Sequence, residues 1–360
     1  MSDFMFQYLP CYTVGADAYE RVPEVCKRYG KKAVVVGGKK AMAAAKPYLE
    51  KALSGSDLEI VEFLWYGGEA SFENAQMIVD TDSYKNADMV FAVGGGKALD
   101  TCKYATKFLS PRPIFAFPTI AATCAASSAE SIMYYPTGEV RDTLQLGRPV
   151  EHIFINTKII AEAPDLYLWA GIGDTMAKHF ETELASRGKP LSFKQALGVE
   201  AGTMCYKPLV QYGAQAIEDC KNNVVSEAFE KIVLTNVITT GMVSGLVGVT
   251  LNTGIAHCVC YGLTFIPHIE KNHLHGELVS YGVLVQLFAD GKDEMVDELY
   301  PLYKAIKLPT KLADIEVRPE NMDTIIRETL NVEDISCVPY EVTAQMVLDA
   351  IAKLEAYNPS

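Results

Sequence analysis

From residue 87 the chain reads Ala-Asp-Met-Val-Phe-Ala-Val-Gly-Gly-Gly-Lys-Ala-Leu-Asp, ending at Asp100. A short apolar run that breaks into three glycines and then into helix formers reads as a buried strand, a tight turn and a helix start. The pattern repeats nearby. Residues 33–36 form a β-branched run that ends in Gly37-Gly38, and residues 39–46 are helix formers. Residues 58–63, 113–117 and 152–155 are three further strand candidates. Strands separated by helical stretches predict parallel βαβ units with right-handed crossovers.

The pattern changes after Pro164. Residues 166–186, 193–207, 211–221 and 227–249 are long helix-like runs, and few strand signals remain. The chain is therefore expected to hold an α/β dinucleotide-binding domain over residues 1–163 and a helical metal and substrate domain over residues 164–360. No internal repeat or low-complexity tract interrupts either part.

The formal net charge is −13. Nucleic acid binding relies on clustered Lys and Arg, so a nucleic acid partner is not expected. No window holds 18 uninterrupted apolar residues, so no membrane span is expected. The first residues, Met1-Ser-Asp-Phe-Met-Phe-Gln-Tyr8, lack the basic start and apolar core of a signal peptide. Nine scattered cysteines form no disulfide framework, which fits the reducing cytoplasm.

Two constellations carry chemistry. In the first, glycines at Gly94, Gly95 and Gly96 let the backbone approach a pyrophosphate, and the following helix offers free N–H groups. The spacing matches neither Gly-x-Gly-x-x-Gly nor the Walker pattern. A plain tight turn is the alternative, with Asp100 and Lys103 on a solvated helix face. Lys97 and the second glycine pair, Gly37-Gly38, favour a dinucleotide site. In the second constellation, Asp174, His257 and His275 offer one carboxylate and two imidazoles, a donor set suited to a catalytic divalent metal. Pro267 rules out one continuous helix carrying both histidines. His268 and His273 compete with them as ligands, whereas His152 and His179 read as structural or surface residues. Cys258 and Cys260 read as core-lining thiols, because two residues two apart on a helix cannot both face one site.

With these motifs in this order, the chain resembles the glycerol dehydrogenase branch of the metal-dependent, iron-containing alcohol dehydrogenase superfamily, related in fold to dehydroquinate synthase. The resemblance covers nearly the whole chain. It implies that residues 94–100 form the pyrophosphate loop, with Asp100 toward the nicotinamide. It implies that residues 118–123 form the next cofactor loop, with Thr119 at the adenine end. Thr123, Ser128, Glu130 and Tyr134 extend that cofactor region, the last two beside nicotinamide and substrate. It also implies that Asp174, His257 and His275 hold the metal, zinc in this branch and iron in others. Family members assemble as dimers to octamers, so a homo-oligomer is expected.

Three positions depart from the family pattern. Cys124 stands where glycerol dehydrogenases carry an Asp that binds substrate hydroxyls. Thiols are weak hydrogen-bond partners and add no negative charge, so a 2-hydroxy acid becomes a better substrate than glycerol, and Cys124 joins the catalytic candidates. Gly38, followed by Lys39 and Lys40, stands where NAD-dependent relatives place an acid that repels a 2′-phosphate. This favours NADP over NAD, unless the lysines merely open a solvated helix. Cys260 replaces a histidine three residues after the first ligand histidine. The expected activity is hydride transfer between a small 2-hydroxy acid or vicinal diol and its carbonyl. The rivals are a glycerol dehydrogenase proper using NAD and zinc, and a lyase of the dehydroquinate synthase type. The lyase needs a cationic pocket for a sugar phosphate, and the helical half is poor in Arg.

Overall fold

The structure, a computed structural model, describes residues 7–358. The opening residues read for a signal peptide lie, as far as residue 6, outside the described part. Six parallel strands form the main sheet: β1 (Tyr12–Gly15), β2 (Lys32–Gly37), β3 (Glu59–Trp65), β4 (Met89–Gly94), β5 (Ile114–Pro118) and β8 (His152–Asn156), in the order β1-β8-β5-β4-β2-β3. Val34, Val35 and Val36 of β2 and Val90 to Val93 of β4 are fully buried. A parallel sheet covered on both faces requires such unbroken apolar runs. The five strands expected from sequence are all present. β1 is an added edge strand.

The other two strands, β6 (Glu130–Tyr134) and β7 (Val140–Gln145), form a separate antiparallel hairpin. Its second strand, Val-Arg-Asp-Thr-Leu-Gln, is mostly exposed, so no apolar alternation marks it in the sequence.

The order of strands places the glycine loops. The chain leaves β2 toward β3 on one side and returns through β4 on the other. Connections diverge between β2 and β4, and ligands of open α/β sheets bind outside the strand ends at such a switch point. Gly37 is in register with Val93, and Gly94 with Pro118. The Gly37-Gly38, Gly94–Gly96 and Pro118-Thr119 segments therefore lie side by side at one edge of the sheet. Helix α1 (Lys39–Leu53) follows the first and α2 (Gly96–Tyr104) the second.

Beyond residue 157 the described residues form no strand. The first long helix is α3 (Asp165–Ser186). The run at 193–207, expected as one helix, is instead a helix over Phe193–Ala201, a 3₁₀ turn over Gly202–Cys205 and a new start at α4 (Lys207–Lys221). Pro208 explains the restart, because proline has no N–H to continue a helix but suits its first turn. The run at 227–249 is helical from Glu227 to Val247, with a π turn at Thr235–Thr239, and ends at Gly248 with φ +74°. Three further helices are α5 (Ile255–Thr264), α6 (His275–Ala289) and α7 (Met322–Asn331).

The chain divides into two compact units. One runs to Asp165 and includes Asp219–Val233; the other comprises Leu166–Glu218 and the chain from Leu234 onward. No helix among the described residues is long and apolar enough to cross a membrane.

Candidate metal centre and glycine loops

Asp174, His257 and His275 come together in the helical unit from three helices, α3, α5 and the first residue of α6. Glycine makes the approach of these helices possible. A Cβ on Gly276 would lie 1.9 Å from the Ala170 carbonyl oxygen, and one on Gly173 would lie 2.2 Å from the Gly276 oxygen. A Cβ on Gly282 would lie 2.2 Å from the Ala256 oxygen. No larger residue fits at these contacts, so the small residues bring α3 and α5 up against α6.

His257 Nε2 lies 3.5 Å from Asp174 Oδ1, and His275 Nε2 lies 3.7 Å from the same oxygen. Ligand atoms at ordinary zinc distances and tetrahedral angles stand about 3.4 Å apart. With all three ligand atoms within 4.8 Å of one another, the side chains can hold one small divalent ion. Asp174 and His257 are largely buried, and the His275 side chain is 46% exposed. The open side of the centre is thus the His275 side.

Glu181, which sequence reasoning missed, completes the centre. Its fully buried carboxylate accepts from His257 Nδ1 at 2.6 Å and from the His257 backbone N–H at 2.8 Å. An ionised carboxylate only accepts hydrogen bonds, so Nδ1 carries a proton toward Glu181, and Nε2, which faces Asp174, is the nitrogen that loses its proton to take a metal. The same carboxylate caps the start of α5, where N–H groups lack helical partners. Gln286 Oε1 on α6 caps the neighbouring Ala256 N–H at 3.1 Å. The available signal was spacing: Glu181 is seven residues after Asp174, two turns along the same face of α3.

Electrostatics also favour a cation here. Burial works against a charged His257, yet Glu181 and Asp174 hold its imidazole up to about 10. Burial would raise the Asp174 carboxyl, but the hydrogen bond from His257 and the charges of His275 and Lys178 hold it below the ordinary range. Lys178 is tied to the Asn252 carbonyl and side-chain oxygens, at 3.0 and 2.6 Å. Cys260 Sγ lies 3.6 Å from His275 Nδ1, and both Cys258 and Cys260 are buried. The competing histidines are engaged elsewhere: His268 Nε2 with the Glu316 carbonyl at 3.0 Å, and His273 Nδ1 with Glu277 at 3.0 Å. His152 pairs with Thr13 at 2.9 Å, and His179 stacks on Tyr206.

In the α/β unit the glycine loops are equally confined. A Cβ on Gly37 would meet the Val93 oxygen at 2.1 Å, and one on Gly95 would meet Ile120 Cδ1 at 2.5 Å. Gly94 has φ +150°. Gly38 donates its N–H to Val93 O, and Thr119 donates to Gly94 O, at 3.3 and 3.2 Å. Lys39 Nζ sits over the Trp65 ring at 4.5 Å, and Lys40 is exposed. Lys97 Nζ pairs with Glu69 at 2.6 Å and lies over the Tyr134 ring.

The solvated-face alternative for Asp100 and Lys103 is wrong, because both are buried and paired at 2.7 Å. Burial pushes the Asp100 carboxyl up, against the pull of Lys103. Lys103 Nζ also donates to Ala125 O at 2.9 Å, Ser128 Oγ at 3.3 Å and Glu130 O. It thereby joins α2 to the loop that carries Thr123 and Cys124. Thr123 Oγ1 lies where a Cβ on Gly96 would meet it at 3.3 Å. The Cys124 carbonyl accepts from the Ser127 and Ser128 N–H groups, and Glu130 Oε1 accepts from Gln145.

Comparison with known proteins agrees with this geometry. The family described as iron-containing alcohol dehydrogenase matches residues 10–149. Hydroxycarboxylate dehydrogenase A of Escherichia coli K12 is 34% identical over 91% of this chain and 90% of its own. Glycerol dehydrogenase of Thermotoga maritima is 31% identical over 96% of this chain and 95% of its own. The crystal structure of glycerol dehydrogenase from Schizosaccharomyces pombe superposes with a TM-score of 0.87 at 27% identity, covering 99% of this chain and 91% of that one.

Proposed function

The chain belongs to the iron-containing alcohol dehydrogenase family, in its glycerol dehydrogenase-like branch, and from this membership we propose that it interconverts a small 2-hydroxy acid and its 2-oxo acid. It is an oxidoreductase, a metal-dependent alcohol or hydroxycarboxylate dehydrogenase. The observation that carries the chemistry is the convergence of Asp174, His257 and His275 with Glu181 behind them. When bound, the metal supplies Lewis acidity at the substrate oxygen, and the nicotinamide supplies a hydride acceptor or donor.

The side chains of the centre do the rest. Asp174 and the two Nε2 atoms hold the ion, with zinc proposed for this donor set. Glu181 fixes the His257 ring and its tautomer. In the proposed cofactor site, the Gly94–Gly96 backbone and the start of α2 receive the pyrophosphate, and Asp100, Thr119, Thr123, Ser128, Glu130 and Tyr134 surround the remainder. Gly38 leaves no carboxylate to repel a 2′-phosphate, and Lys39 and Lys40 attract one, so NADP(H) is proposed over NAD(H).

The choice of a hydroxy acid rests on Cys124. A thiol at this place adds no negative charge against a substrate carboxylate, and the likeness to a hydroxycarboxylate dehydrogenase supports the same choice. The likeness to named glycerol dehydrogenases keeps one rival, glycerol oxidation with NAD and zinc. The lyase reading has no counterpart among these relatives. Steady-state rates on 2-oxo acids, 2-hydroxy acids and glycerol, each with both dinucleotides, decide between the first two. A highest kcat/KM for glycerol with NAD would overturn the roles given to Cys124 and Gly38. His257→Ala is expected to abolish metal retention and turnover together.

A further inference from the structure

Helix α2 has two ends. Its start carries the glycine loop. Its other end passes into a π turn over Ala105–Leu109, where a cavity of about 640 Å³ opens in the α/β unit. Thr106 and Lys107 of that turn line it, as do Pro113 just before β5 and Glu151 just before β8. It therefore lies at the opposite edge of the sheet from the glycine loops, about 16 Å along α2 from Gly96.

The walls are cationic in a chain of net charge −13. Lys107, Arg112 and Arg148 line the cavity against one carboxylate, Glu151. Glu151 is already taken, bound by both Arg148 nitrogens at 2.7 and 3.5 Å. Among the described residues, Lys107 and Arg112 have no carboxylate within ion-pair distance. The Arg112 guanidinium sits over Tyr84 at 4.9 Å and donates to Lys85 O, while its buried Nε–H has no partner. Arg28 adds a fourth cation behind the wall, 4.8 Å over the Tyr29 ring. Burial and the charge of Arg148 push the Lys107 ammonium down from its ordinary range.

Helix ends do attract cations, because the last carbonyls carry partial negative charge. One exposed lysine would satisfy that need. It does not account for two guanidinium groups and a half-buried ammonium that converge on one cavity with Glu151 as its one lining carboxylate. Guanidinium forks match phosphate and carboxylate oxygens in pairs, and the flanking Pro111 and Pro113 stiffen the loop that presents Arg112. We propose that this cavity is a second ligand site, distinct from the glycine loops, which binds a compact polyanion of phosphate or carboxylate oxygens between Lys107, Arg112 and Arg148.

The test is calorimetric titration of the intact, metal-loaded protein with pyrophosphate and, separately, with tricarballylate. It is run at low ionic strength with the dinucleotide site saturated, and with metal content assayed before and after. One site per chain is expected. Its dissociation constant should rise at least tenfold in the Lys107→Gln/Arg148→Gln double variant and fall severalfold in Glu151→Gln, which leaves every cation in place and guards against a misfolded double variant. Binding of pyrophosphate alone assigns a phosphorylated ligand, and binding of tricarballylate alone a polycarboxylate. No binding of either anion, displacement by the dinucleotide, or indifference to all three substitutions overturns the proposal. So does a changed assembly mass in the double variant with unchanged anion binding, which would make these cations a subunit contact.

Discussion

At the level of single residues, Glu181 shows how much of a metal centre lies behind its ligands. It neither faces the ion nor belongs to a motif, yet it sets which nitrogen of His257 is free to bind. Glu181→Gln keeps the shape and an oxygen for the backbone N–H, but turns an amide NH2, a donor, toward Nδ1 where the carboxylate accepted. Metal affinity is expected to fall about 10–100-fold. Competition with a chelating dye measures this without turnover, and an affinity equal to the parent would remove Glu181 from the centre. His179 makes the second case. It is held neutral by burial, which lowers its pKa to about 4, with Lys292 and Lys207 adding to the shift and Glu183 opposing it; its Nδ1 has no partner. The unfolded chain takes up a proton near pH 6.5 and the folded one only near pH 4. This contribution to stability is present above pH 6.5 and lost as the pH falls toward 4, by up to about 3 kcal/mol. His179→Phe retains a ring against Tyr206 and cannot titrate. Urea midpoints for parent and variant should diverge between pH 7 and 5; parallel curves would mean that His179 is not buried neutral.

Among the elements, the β2–α1 junction is where the proposed cofactor preference meets the sequence. Gly37 and Gly38 look alike in the chain, but the sheet separates them. A side chain at Gly37 would strike the Val93 carbonyl, whereas a Cβ at Gly38 meets only ordinary contacts of 3.8 Å at φ −73°. Gly38 is also the N-cap of α1 and has no side chain to cap it. Gly38→Asp therefore fits, puts an acid where the proposed cofactor site would hold the ribose, and supplies a cap to the helix. It is expected to shift the ratio of kcat/KM values toward NAD by about tenfold or more, since one lost or repelled charge contact amounts to at least 1.4 kcal/mol, and to leave stability equal or about 0.3 kcal/mol higher. Rates with both dinucleotides and one denaturation curve test both parts, and an unchanged cofactor ratio would put the 2′ position elsewhere. The buried strands were legible because a parallel sheet demands unbroken apolar runs. β7 was not, because a polar exposed strand carries no such mark. The break before α4 was written in Pro208, yet helical composition on both sides of it outweighed that signal.

For the whole molecule, the α/β unit and the helical unit each hold one constellation. All three metal ligands and Glu181 belong to the helical unit. Removing the metal should therefore lower the unfolding free energy by about 3–4 kcal/mol at ion concentrations of 100 to 1,000 times Kd. Hydrogen exchange should quicken around Asp174, His257 and His275 and stay unchanged in β2, β4 and β5. Identical exchange with and without metal would mean that the triad holds none.

The sequence by itself determined the alternation of strand and helix, the change to helix after Pro164, the glycine turns, and, through the order of its motifs, the identity of Asp174, His257 and His275. All but the last are properties of local composition and spacing; the ligand set rests on the resemblance to a family. Only the tertiary structure decided that Glu181 stands behind His257, that Asp100 and Lys103 are a buried pair, and that Lys107, Arg112 and Arg148 share one cavity. Each of these depends on the distance between atoms brought together by packing, and spacing along a chain does not carry that distance.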